Sequence, residues 1–383
     1  MKVLIIGQKG IPAVSGGVET HVEELATRLA SRGHEVVVYT RPNYTDKNLK
    51  EYKGVRLVSL PSISSKNLDA IVHTFLASLH AIFVERKVDL VHFHSIGPSS
   101  LLWLVKIFKP TTPVISTFHT MCYTHQKWGS FAKAYLKFGE LVCNKVADEV
   151  IGISRNIQQY AQVKYKRTVN YIPNGVGTAE KKEPNNIKKW GLEKDNYIVA
   201  ISRIVRHKGL QYLIDAYKQI DTDKKLVIVG DGSYTDGFVD ELKSMADGND
   251  NIIFTGRQSG DTLKELFTNA YLFVQPSESE GLSIALLEAM SYEQAVLASD
   301  IPENEEALRN SGFYFENKNV DSLRNMLVKL LDSPNMVDNK RSQGATRVKI
   351  QYDWNTITVD TERLYEKALA LKGFFFSRKE KLI

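Results

Sequence analysis

The sequence predicts an α/β protein built as two units of alternating strands and helices, and three observations carry that prediction. The chain has 383 residues, more than one core of ordinary size supports. It opens on a βαβ pattern: a β-rich run at 2–6, a glycine-bearing loop, an amphipathic helix over 18–31 and a second β-rich run at 35–39. After a polar run at 178–189, the same rhythm restarts with a strand at 197–202.

In the first half, Val22, Leu25, Ala26 and Leu29 fall on one face of the opening helix, and Gly33-His34 ends it. The loop before the helix carries Gly7, Gly10, Gly16 and Gly17. That spacing is not G-x-G-x-x-G, which disfavours a nicotinamide dinucleotide. Gly16-Gly17 at a helix start admits a phosphate, and equally a flexible turn. Further strands are expected at 55–60, 90–93 and 114–118, with His94 and His119 at strand ends. Ligands collect at the carboxyl ends of such strands, so each histidine reads either as a structural hydrogen-bonding group or as part of a site. Residues 125–145 set Trp128, Phe131, Tyr135 and Phe138 at helical spacing among Lys127, Lys133, Lys137 and Lys145. This is either a helix lying on an anionic membrane or a core-facing helix with a solvated basic side. Short strands at 150–154 and 170–172 lead to the turn Pro173-Asn174-Gly175-Val176.

In the second half, the strand at 197–202 ends at Arg203, and Arg206, His207, Lys208 and Gly209 precede a helix over 210–220. A strand at 226–229 ends in Gly230-Asp231-Gly232, another spans 252–255, and an apolar run at 270–274 reads as a buried strand. It feeds residues 276–290, PSESEGLSIALLEAM. Gly281 has no Cβ and lets a ligand approach the backbone. The first helical amides, near Leu282, Ser283 and Ile284, are expected to lack a partner within the helix and to carry the positive end of the helix dipole, which suits a phosphate. Glu288 lies about 8 Å deeper at the helical rise, a distance suited to the ribose of a nucleotide; a solvated helix residue is the alternative. A strand at 295–298 and helices at 320–331, 338–351 and 354–371 complete the pattern, and the aromatic, basic tail 372–383 is expected to be mobile or surface-bound. Asp221-Thr222-Asp223 matches a cation-chelating D-x-D pattern, but its setting is that of a surface turn.

With 43% hydrophobic and 25% charged residues the composition is that of an ordinary globular protein. A net charge of +6 suits anionic ligands or an anionic membrane surface. Cys122 and Cys143 have no metal or redox spacing and point to a reducing compartment. No signal peptide is read at the start, and the apolar runs at 70–84 and 91–105 fall short of a spanning helix. The expectation is a cytoplasmic protein, compatible with peripheral contact at the inner face of the membrane.

Read in order, the motifs resemble the retaining nucleotide-sugar transferases of the GT-B fold, specifically glycosyltransferase family 4. The carriers are Gly16-Gly17-Val18-Glu19, Gly33-His34-Glu35-Val36, His119, Ile172-Pro173-Asn174-Gly175-Val176, Arg203 with Lys208-Gly209, Val229-Gly230-Asp231-Gly232, and the E-x7-E of Glu280 and Glu288. The opening also looks like a bacterial subgroup labelled rhamnosyltransferase-like. The resemblance implies two Rossmann-like domains facing a cleft: an acceptor-binding domain over 1–168, with 352–383 crossing back to it, and a nucleotide-sugar-binding domain over 169–351. It implies that Arg203 and Lys208 neutralise the donor diphosphate, that Gly17, Gly230, Gly281, Leu282 and Ser283 approach the donor, and that Glu288 holds the ribose. Glu280 and His119 would be the catalytic groups beside the donor sugar. No metal and no cofactor are expected, because fixed cations and helix amides suffice for the charge on the leaving group. The partners implied are a nucleotide-diphosphate-sugar and a glycan or lipid-linked acceptor, in bacterial surface polysaccharide synthesis, with no nucleic acid. A nucleotide-sugar epimerase of the same fold and a non-catalytic nucleotide-sugar-binding subunit are the alternatives.

Overall fold

The computed structural model describes residues 1–380 apart from 64, 66, 67, 125–128, 233 and 234, and leaves aside the side chains of 124, 236 and 374–380. The chain forms two compact units, Met1–Asn174 with Trp354–Ile383, and Gly175–Asp353.

In the first unit the described strands are β1 (Lys2–Ile6), β2 (Glu35–Thr40), β3 (Glu51–Tyr52), β4 (Val55–Ser59), β5 (Leu90–His94), β6 (Val114–Phe118), β7 (Glu149–Gly152) and β8 (Asn170–Tyr171). They lie in the order β3-β4-β2-β1-β5-β6-β7-β8. All neighbours pair in parallel except β3 and β4. Runs such as KVLII in β1 are apolar along their length because helices cover both faces of a parallel sheet. The helix Gly17–Ser31 buries Val22, Leu25, Ala26 and Leu29. Trp354, Ile357, Leu364 and Tyr365 of the last helix, Trp354–Glu380, join the same core. The chain therefore returns to its first unit to end. The tail from residue 372, expected to be mobile or surface-bound, continues this helix through Glu380, and Lys372 donates to the Pro110 carbonyl at 2.9 Å; no glycine or proline after Gly373 stops the helix, and residues 381–383 lie outside the described ones.

The second unit holds β9 (Tyr197–Ile201), β10 (Lys225–Val229), β11 (Ile252–Gly256), β12 (Leu272–Gln275), β13 (Val296–Ser299) and β14 (Phe313–Phe315). Their order is β11-β10-β9-β12-β13-β14, parallel throughout. β12 starts at Leu272 rather than at 270. Asn269 still closes the preceding helix by bonding the Glu265 carbonyl, so the chain reaches the sheet two residues later than its apolar run suggests. The short strands β3 and β14, and the helix Pro302–Leu308 with its proline in the first turn, were not anticipated. Two or three residues are too few to show a period of two.

Among their parallel strands both sheets reverse order once, between β1 and β5 and between β9 and β12. In open parallel sheets ligands bind at the carboxyl ends of strands beside such a reversal. Those two places are where the motif residues gather.

Candidate functional site

At the β9/β12 reversal two loops meet edge to edge. One follows β9 and contains the short turn Arg206–Lys208; the other follows β12 and leads into the helix Ile284–Ser291. The Glu278 amide donates to the His207 carbonyl at 2.8 Å. The Glu278 carboxylate accepts from the Tyr212 hydroxyl at 2.9 Å and pairs with the Lys318 ammonium at 3.1 Å. Gly209 completes the seam. Its φ is +71°, and a Cβ there would stand 1.8 Å from the Pro276 carbonyl oxygen, so only glycine permits both the backbone turn and the close approach. Gly230, after β10, has φ +147° and would place a Cβ 1.8 Å from the Ser202 carbonyl oxygen. It lets the loop of Arg203 lie flat against the next strand end.

This seam brings Lys208 and Glu280 together. The Lys208 Nζ donates to Glu280 Oε1 at 2.5 Å, both side chains being largely buried. Arg203 sits on the same loop, partly buried, and its guanidinium makes no hydrogen bond or ion pair among the described residues. A fixed cation paired to an acid and a second cation with its five donors uncommitted are the equipment of an anion site.

The helix start is held as firmly. Ser283 is the N-cap, its hydroxyl accepting from the Leu286 amide at 3.3 Å and donating to Gln275 Oε1 at 2.6 Å. Gln275 in turn donates to Asn304 Oδ1 at 2.8 Å, and Asn304 donates to the Ser299 carbonyl at 3.0 Å. This buried relay fixes the direction in which the first amides of the helix point, beside Gly281 and Leu282. Glu288 is partly buried on the same helix, and Asp221-Thr222-Asp223 lies apart, in the turn between the helix Leu210–Tyr217 and β10, with both carboxylates exposed.

At the β1/β5 reversal the chemistry is different. Gly7, just past β1, has φ +119° and would put a Cβ 2.4 Å from the His94 carbonyl oxygen. His94 ends β5, His119 follows β6, and His21 lies one turn into the helix Gly17–Ser31. His94 Nδ1 and His119 Nε2 share a hydrogen bond of 3.0 Å. His21 Nδ1 donates to Asn174 Oδ1 at 2.9 Å. His92 stacks at 4.1 Å on His94 and bonds Tyr365 and Thr117, each at 2.7 Å. Burial drives all four imidazoles toward the neutral form: His21 to about 4, against a partial rise from Asn174, and His92 to about 3. Burial and then the neighbouring imidazoles hold His94 and His119 well below the usual range. Gly17 begins its helix beside Gly16, whose φ is +107°. The Glu19 carboxylate folds back against that turn and accepts the Lys9 amide at 3.1 Å.

The aromatic, basic segment forms the helix Ser130–Val146; residues 125–128, with Trp128 and Lys127, lie outside the described ones. Leu136, Val142 and Cys143 face the core, while Phe131, Phe138 and Leu141 are exposed beside Lys137 and Lys145. The helix thus buries one face and leaves a second apolar line in solvent.

The halves of the chain match two families. Residues 15–180 match the model for Glycosyltransferase Family 4, and residues 182–347 match that for Glycosyl transferases group 1. The chain carries a glycosyltransferase domain of each kind. It is similar to an uncharacterized glycosyltransferase of Methanocaldococcus jannaschii, 24% identical over 97% of this chain and 100% of the relative. It is also similar to the phosphatidyl-myo-inositol mannosyltransferase of Mycobacterium leprae, 25% identical over 92% of this chain and 93% of the relative. The alpha-monoglucosyldiacylglycerol synthase of Streptococcus pneumoniae is 27% identical over 79% of this chain and 72% of its own length. Among solved structures, the sucrose-phosphate synthase of Thermosynechococcus elongatus has a TM-score of 0.79 at 22% identity, covering 97% of this chain and 99% of its own. The Anabaena protein HepE in complex with UDP-glucose has a TM-score of 0.79 at 20% identity, covering 96% of this chain and 100% of its own. The fold is that of the GT-B glycosyltransferases, with two Rossmann-like parallel sheets.

Within the group 1 domain, Arg203, Lys208, Gly230, Glu280, Gly281, Leu282 and Ser283 stand around one strand-order reversal, with Glu288 one turn into the adjoining helix. Within the Family 4 domain, Gly17 and His119 stand at the other. Sequence reasoning passed over His21 and the part played by Asn174, although both are visible: His21 falls on the inner face of an amphipathic helix, next to Val22, and Asn174 sits in a turn flanked by buried residues. It also passed over Glu278, whose carboxylate ties the two loops of the group 1 domain together.

Proposed function

We propose that the chain transfers a sugar, with retention of configuration, from a nucleotide-diphosphate-sugar to a glycan or lipid-linked acceptor in bacterial surface polysaccharide synthesis. The donor diphosphate rests on the amides at the start of Ile284–Ser291, with Arg203 and Lys208 as counter-charges, and Glu288 takes the ribose hydroxyls. The observation that supports this most is the seam itself. Gly209 and Glu278 lock the cationic turn against the capped helix start, so positive charge is already oriented where the leaving diphosphate gains negative charge, which is where it lowers a barrier. Gly230 and Gly281 keep the backbone low beside it. With two cations and a helix dipole in place, the diphosphate needs no divalent metal.

Glu280, held by Lys208, is oriented to face the donor sugar as it becomes oxocarbenium-like. His119, kept neutral, donates or accepts a hydrogen bond at that sugar without adding charge. Attack occurs on the face that the diphosphate leaves, and the departing phosphate takes the acceptor's proton. The Family 4 domain holds the acceptor. The exposed line of Phe131, Phe138 and Leu141 beside Lys137 and Lys145 favours a lipid-linked acceptor reached by peripheral contact with an anionic bilayer. No helix among the described residues is long and apolar enough to cross a membrane. The opening motif resembles that of the rhamnosyltransferase-like subgroup, which supports that assignment without fixing the sugar.

The test is a thermal-shift panel of nucleotide-diphosphate-sugars without added metal, since a ligand that binds only the folded state raises its melting point. At least one should do so, UDP-glucose being the first to try. A product analysis with acceptor omitted separates transfer from epimerisation. If no donor raises the melting point with or without Mg2+, the reading fails.

A further inference from the structure

The imidazoles at the β1/β5 reversal are arranged more tightly than a hydrogen-bonding role requires. His21, His94 and His119 come from three different elements, are all buried, and each offers a ring nitrogen within 4.8 Å of the others. Their ring centroids form a near-equilateral triangle, 5.0, 5.3 and 5.4 Å on a side. A tetrahedral ion with Zn–N bonds of 2.0–2.1 Å sets three ligating rings about 5 Å apart, centre to centre. We propose that these three histidines form a binding site for a transition-metal ion of the Zn2+ class, within the Family 4 domain.

The proton positions favour it. Asn174 Oδ1 can only accept, so His21 carries its proton on Nδ1 and turns a lone pair outward from Nε2. A metal-bound histidine regularly gives its other N–H to such an oxygen, which fixes both ring and tautomer. His94 Nε2 is buried with no hydrogen-bond partner among the described residues, so with Nδ1 on the ion this ring, unlike His21, carries its proton toward no orienting oxygen. In the metal-free state one proton lies between His94 Nδ1 and His119 Nε2, at 3.0 Å. When the ion takes both nitrogens, that proton moves to the far nitrogen of its own ring, so three neutral imidazoles bind the ion and none has to lose a net proton. The His94–His119 pair, at 3.0 Å, is already near the ~3.3 Å edge of a tetrahedral site, and the widest separation in the set, within 4.8 Å, closes by up to about 1.5 Å. Three imidazoles suit Zn2+, Co2+, Ni2+ or Cu2+ and leave one position open.

The ion is not assigned to the donor diphosphate. On the reading of His119 given above, it would hold that ring through Nε2, the nitrogen now shared with His94, and so draw the ring away from the sugar and inhibit transfer. Binding itself does not depend on that reading, so the test uses no sugar nucleotide. Equilibrium dialysis with Zn2+, and visible absorption with Co2+, should show one ion per chain in tetrahedral, nitrogen-rich coordination. His21→Ala and His94→Ala should each lower Zn2+ affinity at least a hundredfold, and Asn174→Ala by about ten- to a hundredfold, as for partners that orient a ligand. His92→Gln, outside the set, should retain the ion. Melting curves establish that each variant is folded; where an alanine variant is not, the glutamine variant at the same position takes its place. Substoichiometric Zn2+ with octahedral Co2+ spectra, or unchanged affinity in the folded His94 variant, overturns the proposal. Stoichiometric binding with undiminished transfer supports the site and removes His119 from the chemistry of transfer.

Discussion

The two strand-order reversals occupy equivalent places in their sheets and are furnished in opposite ways. At β1/β5 the chain gathers four imidazoles, all buried and all neutral, linked to one another and to Asn174, Thr117 and Tyr365. At β9/β12 it gathers Arg203, Lys208, Glu278, Glu280 and Lys318 around a capped helix start. The first is a buried cluster of low charge suited to hydrogen bonding or to a metal; the second is a charged cradle suited to an anion. The fold supplies the position in both cases, and only the side chains distinguish what each accepts. On the function proposed above, the charged cradle is the part that meets the leaving diphosphate.

Perturbing one reversal at a time breaks or sharpens this contrast. The largest effect is expected of Gly209→Val, which forces a β-branched side chain into φ +71° and against Pro276. Donor affinity in a titration with UDP-glucose should fall at least a hundredfold, or about 2.7 kcal/mol, while the circular dichroism of the sheets persists. Lys208→Ala and Glu288→Ala come next. Each should lower kcat/KM for the donor at least tenfold, about 1.4 kcal/mol, and wild-type kinetics in both would remove the charged cradle from the account. His119→Ala should reduce kcat a few-fold to tenfold, the worth of one neutral hydrogen bond at about 0.5–1.5 kcal/mol, with donor affinity unchanged; an unchanged kcat makes His119 structural.

The smallest effect is one of pH. The buried histidines bind fewer protons in the folded chain than in the unfolded one between about 6.5 and 4. Stability is therefore unaffected by them above 6.5 and falls as the pH drops through that window. The melting temperature of the Family 4 domain should decline by about 3 °C or more between pH 6.5 and 5.5, given ~1.36 kcal/mol per pH unit and ~2–4 °C per kcal/mol. A flat profile there would contradict neutral, buried imidazoles.

Much of the charged cradle could be read in the sequence because its parts are local. A strand, a glycine, a capping serine and a glutamate five residues on fall within one stretch of chain, and Arg203 and Lys208 within another. The seam between those stretches could not be read, since the Glu278–His207 bond joins residues 71 apart and nothing in their spacing announces it. The histidine cluster was harder still. His21, His94 and His119 sit on a helix and two strand ends, and Asn174 lies 153 residues from His21; pairing of β5 with β6 joins only His94 to His119, and the packing of the helix Gly17–Ser31 adds His21. The exposed Phe131 and Phe138 show the limit of pattern reading in another way. Helical spacing of aromatics fits a core-facing pattern or a membrane-facing one equally, and the helix presents Tyr135 and Leu136 toward the protein while leaving the phenylalanines outside.

The central claim is that the group 1 domain grips a diphosphate with Lys208, Arg203 and the start of Ile284–Ser291. Isothermal titration of UDP into the wild-type chain and into Lys208→Ala, without divalent metal, tests it most directly. A 1:1 complex weakened at least tenfold by the substitution is the predicted result; equal affinity in the two chains contradicts the account.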